Sequence, residues 1–255
     1  MAIPVMSGKY QHISTLDEIK TQILSTQGGL CYEHNIFMKH LLEALGFQVS
    51  LIACDIQMDG IHGHMSVLVQ NLVKPGDKYH IDFGSGDPFF KAIPLDFVKE
   101  SAVYKCGFQV YKFTKEGDEI CWWQKVNNSY STLPIIIDGW KKYMTFTLEP
   151  RVVEYFRDHI IKHYVTQNPP MPGATMLKLM RAIIYPNQKL LAILATSLLC
   201  ENDEGKIEKT KIASKEELAS FYAKYFPQIP ADKVLIAIDK MKYKFESEKS
   251  KVVSS

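Results

Sequence analysis

Three residues suited to covalent chemistry stand in the first third of this 255-residue chain. Cys31 follows two glycines in QGGLCYEHN and opens what reads as an amphipathic helix. A thiol at a helix N-terminus meets unpaired N–H groups and the positive end of the helix dipole, which favour its ionised, nucleophilic form. Gly28 and Gly29 ahead of it allow positive φ and a close approach of substrate to backbone. The plain alternative is a small core cysteine.

A base and an orienting acid follow in GHMSVLVQNLVKPGDKYHIDFGSG, with His64 at the start of one strand and Asp82 near the end of the next. Between them lies a loop of turn formers, NLVKPGD. A hairpin symmetric about Val73 sets His64 directly opposite Asp82, with Cβ atoms roughly 4.5–5.5 Å apart. The carboxylate then fixes the imidazole tautomer and supports an imidazolium, leaving the other ring nitrogen for Cys31. A turn centred on Pro75–Gly76 would spoil that register. The competing reading is a metal site, since His62, His64 and Asp82 supply two imidazoles and a carboxylate, but no third imidazole is placed with them. The triad without a metal is favoured. His34, His40, His80, His159 and His163 fall on polar or helical faces and read as solvated.

Several elements must position these groups. STLDEIKTQILS reads as a helix capped by Ser14 or Thr15, with Asp17 or Glu18 three residues on. The Cys31 helix carries Ile36, Phe37, Leu41, Leu42 and Leu45 and stops at Gly46. From Phe47 to about Val126 the apolar period becomes two, predicting antiparallel strands. Helix returns after Pro150. MLKLMRAIIYPNQKLLAILATSLL predicts two strands around a YPNQ turn, and the overlapping segment Leu190–Cys200 reads as a buried strand or strand pair, too short to span a bilayer. Ser214 and Glu217 predict a capping box on a last helix.

Composition narrows the class. The apolar fraction is 46%, the charged fraction 23% and the formal charge +2, with no polybasic block, which argues against nucleic acid as a partner. No N-terminal signal pattern and no membrane span is seen. Five cysteines without CxxC pairs argue against a disulfide framework or structural zinc. A reducing, cytoplasmic location fits. Oligomeric state is not legible.

The strings GGLCYEHN, GHMSVLV and YHIDFGSG, in this order, resemble the arylamine N-acetyltransferase family, and IPLDF, FTLEPR and the SKEEL helix extend the likeness over nearly the whole chain. The family pattern falls on Gly28, Gly29, Cys31, Glu33, Asn35, His64, Asp82, Gly84 and Gly86. The resemblance implies an α+β, multidomain fold. Residues 1–47 would form a shortened helical bundle carrying the nucleophile, and residues 48–149 a central antiparallel β-barrel carrying His and Asp. Residues 150–255 would supply linker helices and an α/β lid.

It implies a cysteine-protease-like Cys31–His64–Asp82 triad that moves acetyl from acetyl-CoA to small aromatic amines by a ping-pong route. Ser85 and Gly86 would line the acceptor pocket, and the serine would leave room for bulky arylamines. Gly60–Gly63 would let pantetheine approach, Gly63 above all, with Thr175 and the C-terminal tail near the nucleotide. Three departures stand out. Gln27 replaces the family's arginine, the chain starts later than its relatives, and the loop between His64 and Asp82 looks long. Three other readings remain: a related acyltransferase or amide synthase with a different acyl donor, a catalytically silent homologue kept for binding, and a cysteine hydrolase of papain or transglutaminase type. The strings GGxCxExN and DFGSG match the acetyltransferases and not the hydrolases.

Overall fold

In the computed structural model, which describes residues 12–56, 63–126, 136–164, 179–241 and 245, helix α1 (Leu16–Leu24) starts with a reciprocal cap. Thr15 Oγ1 accepts the Glu18 N–H and the Glu18 carboxylate accepts the Thr15 N–H at 2.8 Å. Helix α2 (Cys31–Ala44) has no such option, because its N-cap is Leu30. Only the reciprocal half of the cap remains, in which the Glu33 carboxylate accepts the Leu30 N–H at 2.9 Å. Gly46, at φ +88°, ends the helix as its sequence position predicts.

Nine antiparallel strands follow: β1 (Gln48–Ile56), β2 (His64–Gln70), β3 (Lys78–Ile81), β4 (Ile93–Pro94), β5 (Tyr104–Cys106), β6 (Gln109–Glu116), β7 (Glu119–Lys125), β8 (Ile136–Ile137) and β9 (Trp140–Arg151). Their order is β4-β3-β2-β1-β9-β7-β6-β5, with β8 alongside β9. Among the described residues no ladder joins β4 to β5, so the expected barrel is a curled, open half-barrel. β1 and β2 are covered on both sides. Leu51, Ala53, Met65 and Val67 pack beneath α1, α2, Phe156 and Ile160. Ile52, Cys54 and Leu68 face the concave side, where Tyr111, Phe113, Trp122 and Phe146 cluster. Two buried faces explain the near-continuous apolar run of β2.

The expectation that β-structure stops near Val126 is corrected by β9, the longest strand, which lies between β1 and β7. Lys141 is buried at an inward position of β9, and a bulge interrupts the β7–β9 ladder, so the period-two signal is broken there. Nor does helix begin at Pro150. The strand runs through it to Arg151, with Pro150 opposite Ile52 beside a second bulge, a place where a sheet tolerates the missing N–H. A 3-10 turn (Val153–Phe156) and helix α3 (Arg157–Tyr164) come next.

The last part is a four-stranded meander, β10 (Arg181–Ile184), β11 (Leu191–Leu194), β12 (Ser197–Glu201) and β13 (Ile207–Lys211), under helices α4 (Lys215–Tyr225) and α5 (Ala231–Met241). β10 and β11 flank the YPNQ turn as predicted, and the apolar segment Leu190–Cys200 is the β11–β12 hairpin. The capping box of α4 is only half formed. Ser214 Oγ accepts the Glu217 N–H, but the Glu217 carboxylate takes the Ala213 N–H instead of closing on Ser214. Among the described residues no helix is long and apolar enough to cross a membrane.

Candidate active site

The β2–β3 ladder pairs Val67 with Ile81 and Gln70 with Lys78, so the hairpin is centred on Lys74 and not on Val73. His64 and Asp82 are therefore not directly opposed. They stand as diagonal neighbours, and because the shift moves partners by an even step they keep the same face of the sheet. The diagonal is longer than a direct pair, and the two side chains span it: His64 Nε2 lies 2.7 Å from Asp82 Oδ2. Both are buried, at 3% and 1% exposure. Asp82 Oδ1 also accepts the N–H groups of Gly84 (2.8 Å) and Ser85 (3.1 Å) and the Asn35 amide (3.2 Å).

Asn35 sits one turn beyond Cys31 and ties α2 to the hairpin. Its Nδ2 also donates to Met65 O (2.7 Å) and its Oδ1 accepts the Phe83 N–H (3.1 Å). Gly84 explains the first glycine after Asp82: a β-carbon there would overlap the Cα of Cys31 and lie 2.7 Å from its Cβ. The Cys31 thiol is thus brought beside His64, close enough for its sulfur to act on the charge of the imidazole. Since Nε2 faces Asp82, Nδ1 is the nitrogen left for sulfur. Gly28 has the positive φ (+75°), a β-carbon on Gly29 would crowd the Glu33 side chain, and both glycines line the cavity described below.

The electrostatics follow from burial and proximity. Burial opposes a charge on His64, yet the Asp82 carboxylate and the sulfur of Cys31 outweigh it and hold the imidazole pKa well above its usual value. Burial likewise opposes the Asp82 charge, but His64 and the surrounding donors bring its pKa down to about 2. Glu33, buried without a cationic neighbour among its hydrogen-bond partners Leu30, Tyr32 and Ser14, is pushed up to about 7.

The solvated reading of the remaining histidines fails at His80. It is fully buried, its Nε2 lies 2.8 Å from Ser66 Oγ, its ring stacks on Phe146 at 4.5 Å, and burial lowers its pKa to about 4. The alternation that puts Leu68 inside puts its partner His80 there too. His34 and His159 are half-buried in a cavity wall, and His40 is half-exposed beside Glu43. The side chain of His163 is outside the described residues, as are His62, Gly60, Thr175 and most of the C-terminal tail. Among the described residues no three His, Cys, Asp or Glu side chains group as a metal site.

One cavity of about 550 Å³ is lined by Cys31, Gly63, His64, Asp82, Ser85 and Gly86. Its far wall comes from the C-terminal meander, a contribution the sequence reading missed. Tyr185 donates to Gly86 O (2.6 Å), Arg181 Nη2 to Ser85 O (3.4 Å), and the Tyr185 ring meets Phe90 edge-on at 5.5 Å. Asp87, missed as well, accepts from Gln109 Nε2 at 2.7 Å. No local signal marks these tertiary pairings.

The fold and the lineage are shared with known proteins. A family model described as N-acetyltransferase matches residues 5–232. The arylamine N-acetyltransferase of Mycolicibacterium smegmatis is 30% identical over 137 residues, 49% of this chain and 43% of its own length, so the match spans less than half of that relative. Among solved structures, the Mycobacterium marinum arylamine N-acetyltransferase in complex with CoA has a TM-score of 0.73 at 16% identity, covering 95% of this chain and 87% of that one. The enzyme of Mycobacterium abscessus gives 0.71 at 18%, with 95% and 83% covered, and that of Salmonella typhimurium 0.71 at 13%, with 94% and 85%. At these identities the structures speak for the fold, and the family match, which takes in Cys31, His64 and Asp82, speaks for the lineage: the chain belongs to the arylamine N-acetyltransferase family.

Proposed function

We propose that this protein acetylates aromatic amines with acetyl-CoA, in two half-reactions joined by an acetyl-Cys31 intermediate. The observation that carries the reading is the 2.7 Å bond between His64 and Asp82 beside the Cys31 thiol, at the wall of one cavity. A CoA complex of the Mycobacterium marinum relative supports the choice of donor.

The Cys31 thiolate attacks the thioester carbonyl carbon. The tetrahedral adduct expels the CoA thiolate, which takes the proton held on His64, leaving acetyl-Cys31 and neutral imidazole. The amine nitrogen then attacks the new thioester, His64 accepts the N–H proton, and the Cys31 thiolate departs. The ion pair is restored and nothing is consumed beyond the acetyl group. Asp82 holds the imidazole ring and its charge through both halves. Gly63, Ser85 and Gly86 line the cavity in which donor and acceptor take turns.

Intact-protein mass spectrometry after incubation with acetyl-CoA alone tests this. One acetyl group, mapped to Cys31, lost on adding an aromatic amine and absent from Cys31→Ala, is the expected result. An unmodified wild-type protein overturns it.

A further inference from the structure

We infer that His80 is a positioning residue of the acyl-transfer site: it takes the Ser66 hydroxyl for itself and so leaves Asp82 Oδ2 to His64 alone. The inference rests on the acyl-transfer reading above and explains how its acid is kept for one base.

Two polar pairs cross the β2–β3 hairpin in the same slanted direction. His64 meets Asp82 at 2.7 Å, and two residues further along β2 the Ser66 Oγ meets His80 Nε2 at 2.8 Å. The direct partners in this register are different ones. Leu68 faces His80, and carrying the ladder one step beyond Val67–Ile81 sets Ser66 opposite Asp82. Strand alternation keeps Ser66, His80 and Asp82 on the concave face with His64. Directly opposed Cβ atoms lie roughly 4.5–5.5 Å apart, so a serine hydroxyl there is within reach of the carboxylate. Asp82 has room for it. Oδ1 accepts from Asn35, Gly84 and Ser85, whereas among the described residues Oδ2 accepts from His64 only and keeps a second lone pair. A hydroxyl donating to Oδ2 would share the carboxylate charge with the imidazolium and loosen the pair on which the Cys31 thiolate depends.

His80 supplies the acceptor that prevents this. Its imidazole is fully buried, stacks on Phe146 at 4.5 Å and meets Phe89, Phe113 and Trp122 at steep angles. Its Nδ1 has no hydrogen-bond partner among the described residues. In an aromatic box an N–H finds electron-rich ring faces, whereas a bare lone pair would be repelled by them. The ring proton therefore belongs on Nδ1, and Nε2 is the acceptor. Cys54 completes the order from the other side. Its sulfur is 3.1 Å from Ser66 Oγ, and burial keeps the thiol protonated. The chain runs from the Cys54 S–H to the Ser66 oxygen and from the Ser66 O–H to His80 Nε2, so the serine proton is committed away from Asp82.

Nitrogen NMR of the imidazoles in the whole chain tests this without any acyl donor. In the wild type His80 should carry its proton on Nδ1, with Nε2 bare and hydrogen-bonded. In His80→Leu the Ser66 hydroxyl loses its acceptor and turns to Asp82. The pH at which His64 gives up its proton should then fall by about one unit. Alkylation of Cys31 by iodoacetamide at pH 7 should slow with it. Adding Ser66→Ala removes the stray hydroxyl, and the double variant should return both readings to near wild type. A residue that merely fills the core predicts the reverse, because the second substitution would add to the damage. A His80 proton on Nε2, a His64 titration unmoved by His80→Leu, or no recovery in the double variant overturns the inference. If His80→Leu fails to fold, the wild-type tautomer and the double variant, whose His64 titration must match the wild type, decide. Failure of acetyl-CoA to label Cys31 would overturn the acyl-transfer reading alone, since none of these measurements uses it.

Discussion

The backbone of Cys31 rests directly on Gly84, with no room for a side chain between them: a β-carbon on Gly84 would lie 2.7 Å from Cys31 Cβ and 2.8 Å from Asn35 Nδ2. The helix that carries the thiol and the loop that follows the acid are therefore packed backbone to backbone. Gly84→Ala must push them apart and disturb the Asp82 and Asn35 hydrogen bonds. We expect a loss of about 1–3 kcal/mol in stability from overpacking. Labelling of Cys31 by acetyl-CoA should slow by roughly a hundredfold, because small displacements at a reacting centre are costly. Chemical denaturation and single-turnover mass spectrometry read the two effects separately.

Asp82→Asn keeps the shape of the site and reverses a proton. The amide oxygen can still accept from Gly84, Ser85 and Asn35, which turns its NH₂ toward His64 Nε2. Nε2 must then accept, so Nδ1 carries the hydrogen and cannot take one from sulfur. Turnover should fall by about 10³–10⁴-fold. Without the carboxylate, burial is left as the chief influence on His64, and its raised pKa should drop below the usual value. Nitrogen NMR of the imidazole checks this: a protonated ring at pH 7 in the wild type, a neutral one in the variant. Wild-type turnover in Asp82→Asn would contradict the triad.

His80 should make the fold acid-sensitive. Its pKa is about 4 in the folded chain against a usual 6.5, because burial disfavours the charge. Between these values the unfolded chain binds the extra proton, so stability falls as pH drops from about 6.5 to 4. The contribution is on the order of 3 kcal/mol. His80→Leu, which keeps an apolar group beside Phe146, should flatten that part of the profile in urea titrations at pH 7 and pH 4.5. An unchanged profile would mean that other groups govern it.

Glu33 has the opposite sign. Its folded pKa of about 7 lies above the usual 4.5, so the folded chain holds the proton longer and stability falls as pH rises from about 4.5 through 7. Glu33→Gln retains an oxygen for the Leu30 N–H and removes the titration. Its stability should be nearly constant across that window, and at pH 8 it should exceed the wild type. Glu33→Ala, which also loses the Leu30 N–H acceptor, should be less stable than Glu33→Gln by about 1 kcal/mol at every pH. Thermal melts from pH 5 to 8 distinguish the three proteins.

The sequence by itself determined what is local. Thr15 with Glu18, the glycines before Cys31 and Gly46 after its helix mark their elements because caps and turns are made within a few residues. Strand alternation limits His64 and Asp82 to the same or opposite faces, and the even shift seen in the ladder keeps them on one. The tertiary structure decided the rest. It centred the hairpin on Lys74, left the sheet open, and inserted β9 beside β1 despite a buried lysine that hides its period. It also buried His80, whose surroundings come from four distant segments. Above all it brought Arg181 and Tyr185 onto the Ser85–Gly86 loop. Contacts between residues so far apart are fixed by how layers pack, and packing leaves no periodic trace in the chain.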